Sequence, residues 1–180
     1  MQETDYLKEN LKALDLLKRI ERFKLFSEEN LQSFLKVGKL KSYEAGETIV
    51  RRGAKENWVY FLISGQVKVV KGENTFAILQ RSGDLFGEMA VIDQEPRSAS
   101  VWALTKTMLL GLDCSNLDQV NENSGAVFHY TIFRLFAESL AERLRITNDE
   151  VIKLQKKLHE KDKLLAKLRN DNSKGETLWL

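Results

Sequence analysis

The chain predicts an α+β fold: a β-jelly roll flanked by N-terminal helices and followed by a long C-terminal coiled-coil helix. Three observations carry this reading. Short β-rich runs punctuated by glycines fill the middle of the chain. Apolar residues recur at helical spacing on both sides of that block. Late in the chain the apolar spacing alternates four and three, the period of a coiled-coil seam. The boundaries read as an N-terminal helical segment over 1–40, the β core over 41–113, C-terminal helices over 114–170 and a flexible tail over 171–180.

In the first segment Tyr6, Leu7, Leu11, Leu14, Leu17 and Ile20 lie on one helical face, with Lys8, Glu9, Lys12 and Lys18 between them. A second helix starts after Ser27, a suitable N-cap, though Asn30 at the third position leaves the capping box incomplete. Its apolar face is Leu31, Phe34 and Leu35, and Phe23 and Phe26 are expected to plug the joint between the helices.

The β block contains the runs 48–50, 58–63, 66–70, 76–79, 98–104 and 107–112. Gly46, Gly53, Gly65, Gly72 and Gly83 fall between runs, where turns need them. No long helical crossovers separate the strands, which argues against a doubly wound nucleotide fold.

Beyond 114 a short helix is expected at 117–120. A long one then carries Phe128, Ile132, Leu135, Phe136, Leu140, Leu144, Ile146, Val151, Leu154 and Leu158. The seam reads Leu140, Leu144, Thr147, Val151, Leu154, Leu158, and Leu165 and Leu168 resume it after Lys161. A lone helix cannot bury such a stripe, so a homodimer through this helix is expected. Leu178, Trp179 and Leu180 read as a docking hook or simply a sticky end.

The net charge of +2 gives no support to nucleic-acid binding. Cys114 is the single cysteine, so there is no disulfide framework within the chain. The start of the chain is polar and acidic, and no apolar run is long enough to span a bilayer, so a cytoplasmic protein without a membrane span is expected. The histidines, His129 and His159, both fall in helical segments, and no metal-ligand cluster or nucleophile–base set is evident. No catalytic residue, metal or cofactor is therefore expected, and the chain does not read as an enzyme.

The most informative stretch is Phe86-Gly87-Glu88-Met89-Ala90-Val91-Ile92-Asp93-Gln94-Glu95-Pro96-Arg97-Ser98-Ala99-Ser100. It sets a glycine-adjacent carboxylate nine residues before an arginine in apolar surroundings, where either charge is costly without a partner. A small anion bearing hydroxyls would satisfy both. The Arg97 guanidinium can present a planar fork to phosphate oxygens. Glu88 can accept from a sugar hydroxyl, and can also orient Arg97. Gly87 allows close approach to the sugar, and the N–H groups of the turn through Met89 and Ala90 can point at an anion. Ser98 adds a hydroxyl, and Ala99 leaves room for a ring.

This string closely resembles the phosphate-binding cassette of cyclic nucleotide-binding domains, the modules of catabolite activator proteins, kinase regulatory subunits and cyclic nucleotide-gated channels. The match to Phe-Gly-Glu, apolar, Ala, a loop, then Pro-Arg-Ser-Ala is complete. The resemblance implies that Glu88 binds ribose, that Arg97 binds the cyclic phosphate and that Ser98 touches phosphate or guanine. The long helix resembles the dimer helix of catabolite activator proteins over Ala141-Glu142-Arg143-Leu144-Arg145-Ile146-Thr147-Asn148. There Thr147 matches a threonine at the adenine edge, Asn148 replaces a serine that reaches the partner's nucleotide, and Arg143 matches an arginine that approaches the ligand. The winged helix-turn-helix of those activators has no counterpart in residues 152–180, so no direct DNA binding is expected.

The expected function is a stand-alone dimeric sensor of cyclic AMP that signals through its C-terminal helix to a downstream protein. A cyclic GMP sensor and a ligand-independent dimeric scaffold with a vestigial cassette are the alternatives.

Overall fold

Eight antiparallel strands form two four-stranded sheets in the computed structural model, which describes residues 14–24, 26–115 and 125–175. One sheet has the order β1 (Gly38–Tyr43), β8 (Thr107–Asp113), β3 (Trp58–Ser64), β6 (Leu85–Phe86). The other has the order β2 (Thr48–Val50), β7 (Ser100–Ala103), β4 (Val67–Lys71), β5 (Asn74–Leu79). This is the two-sheet β fold with flanking helices that the glycine-punctuated runs predict.

Strand β3 explains why its sequence shows no alternation. It lies inside its sheet, with β8 on one edge and β6 on the other, and both of its faces are buried. Val59, Phe61 and Ile63 share one core with Leu85, Leu110 and Leu112. Tyr60 and Leu62 join the second core, between the sheets, with Phe86, Leu109, Ile49, Val50, Val67, Val101 and Ala103. A strand covered on both sides reads as a continuous apolar run.

The first core is closed by helices. Residues 14–18 are helical, a 3-10 turn spans Glu21–Phe23, and α1 spans Glu28–Val37. Ser27 caps α1, its Oγ accepting from Asn30 N–H at 3.3 Å. Phe23 and Phe34 are completely buried. Phe23 meets Phe26, Phe34 and Phe61 at centroid distances of 5.5, 5.6 and 5.1 Å, so these rings do plug the joint, and they join it to β3. Ile132, Leu135 and Phe136, from the first turns of the long helix, complete this core.

Strand β1 departs from expectation. The 40/41 boundary falls inside it, because the chain leaves α1 at Val37 and enters β1 at Gly38. Lys39 and Lys41 have low intrinsic strand propensity, but six consecutive pairings with β8, from Gly38↔Leu112 to Tyr43↔Thr107, override it. The two-residue β6 was also unmarked in the sequence pattern.

The chain divides into two compact units, Met1–Ala137 and Glu138–Leu180, and α3 (Gly125–Gly175) contributes to both. Within the second unit Leu144, Val151, Leu154, Leu158, Leu165 and Leu168 are exposed. Residues 171–175 continue the helix and are not a tail. Adding a residue to an existing helix costs far less than nucleating one, and 171–174 contain no glycine or proline. The expected helical residues Tyr6, Leu7 and Leu11, the helix at 117–120 and the tail beyond 175 lie outside the described residues. No described helix is long and apolar enough to cross a membrane.

Phe61 joins the ring cluster to the sheet, so Phe61→Ala should destabilise the protein by about 3–5 kcal/mol. A denaturant melt checks this; a midpoint unchanged from wild type would show that the cluster is not a cooperative core.

Candidate functional site

The cassette begins where β6 ends. Gly87 follows Phe86 with φ +92, and Glu88 then opens the one-turn helix α2 (Met89–Ile92). The Glu88 carbonyl accepts from Val91 N–H and Ile92 N–H at 3.1 and 3.0 Å. An Asx turn follows, in which Glu95 N–H donates to Asp93 Oδ1 at 3.1 Å, and Gln94 takes a left-handed φ of 57. The loop carries Arg97 back toward β7. Phe86, Ala90, Glu88 and Arg97 are buried, Ala99 is half-buried, and Met89 and Ser98 are exposed.

The two charges that the sequence singles out are among the least accessible groups here: Glu88 is 1% exposed and Arg97 4%. Arg97 Nη1 donates to the Gly87 carbonyl at 2.8 Å, and Nη2 donates to the Trp58 carbonyl. Its backbone is held as well, with Arg97 N–H donating to Ala54 O at 3.0 Å and Gly53 N–H donating to Arg97 O at 2.8 Å. Arg97 Nε is buried and makes no hydrogen bond among the described residues. Burial lowers the arginine's affinity for its proton, opposed by Tyr60, Glu56, Cys114 and Glu88. Guanidinium nevertheless remains cationic in proteins. The result is a buried cation whose two side-chain hydrogen bonds go to neutral carbonyls. An anion placed there would offset its desolvation.

At Gly87 a Cβ would lie 2.7 Å from Arg97 Nη1 and 2.8 Å from Trp58 O, so the glycine makes room for the arginine and for β3. Hydrogen bonds to the Gly87 and Trp58 carbonyls hold the Arg97 guanidinium, and Glu88 contributes a nearby negative charge.

Arg143, Thr147 and Asn148 lie on α3 in the second unit, Arg143 half-buried and the other two exposed. His129 and His159 are also on α3. Among the described residues no cluster of three His, Cys, Asp or Glu is placed to hold a metal.

Sequence reasoning missed the wall behind the arginine. Trp58 and Tyr60 stack with centroids 6.4 Å apart, and Tyr60 stacks on Phe86 at 5.2 Å. Lys41 Nζ lies 3.9 Å from the centroid of the Trp58 ring. Burial lowers the Lys41 pKa, with Glu56 opposing and Lys39 adding to the shift. The period-two spacing of Trp58 and Tyr60 could have placed them on one face. It could not show that the face lies against the cassette.

Cys114 follows β8, and its N–H donates to Asn57 O at 2.8 Å. Burial pushes its thiol from 9.0 up to about 12, and Asp113 adds to the shift. The unfolded chain therefore loses the thiol proton above pH 9 while the folded protein keeps it, so this contribution to stability falls as pH rises from there. At pH 8 the folded protein should carry far less thiolate than the unfolded chain, and iodoacetamide should label the half-buried Cys114 much more slowly in the native protein than in urea. Comparable labelling rates in both would overturn the raised thiol pKa.

The profile of the cyclic nucleotide-binding domain matches residues 40–124. A cGMP-dependent protein kinase of Eimeria tenella is 36% identical over 90 residues, 50% of this chain and 9% of that protein. A cAMP-dependent protein kinase regulatory subunit of Schizosaccharomyces pombe is 32% identical over 82 residues, 46% of this chain and 20% of that protein. The chain thus spans only a fraction of the length of these relatives. Among solved structures, a cyclic nucleotide-binding domain from Methylobacillus flagellatus aligns with TM-score 0.68 at 23% identity, covering 81% of this chain and 83% of that one. The Thermus thermophilus catabolite activator protein aligns with TM-score 0.60 at 27% identity, covering 74% and 62%. With the two-sheet fold and the complete cassette already in place, residues 40–124 belong to the cyclic nucleotide-binding domain family.

Proposed function

We propose that this chain is a cytoplasmic cyclic nucleotide sensor that binds cyclic AMP, works as a homodimer and signals through α3 to a downstream protein. The observation that carries the ligand is Arg97: a buried cation fixed by two carbonyls, with Nε left over as a donor. A cyclic phosphate is a singly charged anion with two exocyclic oxygens, and a guanidinium meets such oxygens well. Glu88 accepts from the ribose hydroxyl, Ser98 serves the phosphate or the purine edge, and Ala99 leaves space for the ring. Arg143 approaches the ligand, Thr147 meets the adenine amino group, and Asn148 does so from the partner chain.

The dimer rests on α3. Its exposed seam extends further toward the N-terminus than the leucine pattern suggests. Tyr130 and Phe133 are exposed while Ile132, Leu135 and Phe136 are buried, and 130, 133, 137, 140 and 144 keep the alternation of three and four. Parallel pairing brings like seam positions together and buries the stripe. Ligand that favours one placement of this helix would shift its population and so pass the signal on.

Calorimetric titration with cyclic AMP, cyclic GMP and cyclic CMP tests the ligand. Cyclic AMP should bind at one site per chain, and Arg97→Ala should cost about 3–5 kcal/mol of that affinity by leaving the phosphate without its buried partner. Thr147→Ala should cost about 0.5–1.5 kcal/mol. A wild type that responds to none of the three would leave the scaffold reading standing, and tighter binding of cyclic GMP would make the chain a cyclic GMP sensor.

Light scattering tests the assembly. The wild type should be a dimer, and changing Val151 and Leu154 together to Lys should give monomers, because paired cations would then be buried in the seam. A wild type that is monomeric at tens of micromolar would overturn the coiled coil.

A further inference from the structure

Gly111 stands in the interior of β8, paired with Tyr60 on β3 and with Lys39 on β1. A glycine there is unfavourable for the strand, and its φ is not in the left-handed region, so the backbone does not demand it. Space does. A Cβ at Gly111 would lie 3.2 Å from Trp58 Cε3 and 3.2 Å from Tyr60 Cε1. The two rings settle onto the bare backbone of β8, and Lys41 covers the Trp58 ring. The stack continues through Phe86. Its two ends matter for the arginine. Trp58 supplies the carbonyl that accepts from Arg97 Nη2, and Gly87, next to Phe86, supplies the carbonyl that accepts from Nη1.

We propose that Gly111 is a positioning residue for the phosphate-binding arginine, because it seats the Trp58–Tyr60–Phe86 stack that fixes the two carbonyls gripping Arg97. The inference rests on the cyclic nucleotide reading for its effect on affinity, but not for its effect on Arg97 itself. Gly111 touches no ligand. It acts through the rings, the rings act through the spacing of Trp58 O and Gly87 O, and that spacing aims the remaining N–H donors of Arg97. A side chain at 111 must be accommodated by a shift of a few tenths of an ångström in the rings or in the strands that carry them. Hydrogen bonds to a planar fork are sensitive to displacements of that size.

The test is a double-mutant cycle read by calorimetry with cyclic AMP, beside a spectrum of the ligand-free protein. Gly111→Ala should weaken cyclic AMP binding roughly tenfold, as mild overpacking does. In an Arg97→Ala background the same change should alter affinity by less than about twofold, since the group it acts through is gone. Lys41→Met, which removes the cation over Trp58 without adding bulk to β8, serves as the second variant if Gly111→Ala does not fold, and its loss should likewise vanish in the Arg97→Ala background. In the ligand-free protein the Arg97 Nε–H nuclear magnetic resonance signal should shift in either variant relative to wild type. Equal losses in both backgrounds, or an unmoved Nε–H signal, would overturn the proposal. Should the wild type bind no cyclic nucleotide, the functional reading fails, and the Nε–H signal still decides the role of Gly111.

Discussion

The Arg97 guanidinium ties the cassette to the sheet behind it. One of its nitrogens donates to a carbonyl on β3 and another to a carbonyl at the start of the cassette. A cation that has left water needs such acceptors, and every feature around it supplies or protects them. Gly87 has no side chain because Arg97 and Trp58 O occupy the volume one would need. The turn through Gly53 and Ala54 takes up the arginine's own N–H and carbonyl. The two carbonyls take one N–H from each terminal nitrogen, and Nε is left without a hydrogen bond among the described residues.

The two cores divide the labour around this site. The helical core behind β3 is built of interlocking phenylalanines, Phe23, Phe34 and Phe61, that make the central sheet rigid from outside. The inter-sheet core includes Tyr60 and Phe86, whose stack borders the cassette directly. Strand β3 belongs to both, so the wall that holds Trp58 O is braced from two sides. Preorganisation of this kind lets binding free energy go into ligand contacts instead of ordering the protein.

Helix α3 is divided both along its length and, in its early turns, between its faces. In its first turns Ile132, Leu135 and Phe136 close the domain core while Tyr130 and Phe133 remain exposed. Phe133 contacts Phe136 at a ring-centroid distance of 5.6 Å, so an exposed aromatic ring packs directly on a buried core residue. Further along, Leu144, Leu154, Leu158, Leu165 and Leu168 are exposed. The helix carries an apolar surface larger than one copy of the chain covers, and a sustained 3.5-residue period is suited to a second helix.

The sequence by itself determined the β character of the middle of the chain, the capped helix before it, the long helix after it and the identity of the cassette. Each of these is encoded by neighbours: a run of β-branched and aromatic residues, Ser27 before its helix, leucines every three or four positions, or Glu88 and Arg97 nine residues apart in one string. Tertiary structure alone decided that Lys39 and Lys41 form a strand, that Gly87 leaves room for Arg97, and that Trp58, Tyr60, Lys41 and Gly111 come together beside the cassette. The physical reason is chain separation. That wall takes one or two residues from each of β1, β3, β6 and β8, and they meet only because the antiparallel register sets Lys39 and Tyr60 on either side of Gly111 and pairs Tyr60 with Phe86. Local propensity reports what a segment prefers. Register reports what it touches, and the acceptors that hold the buried arginine are a matter of touch.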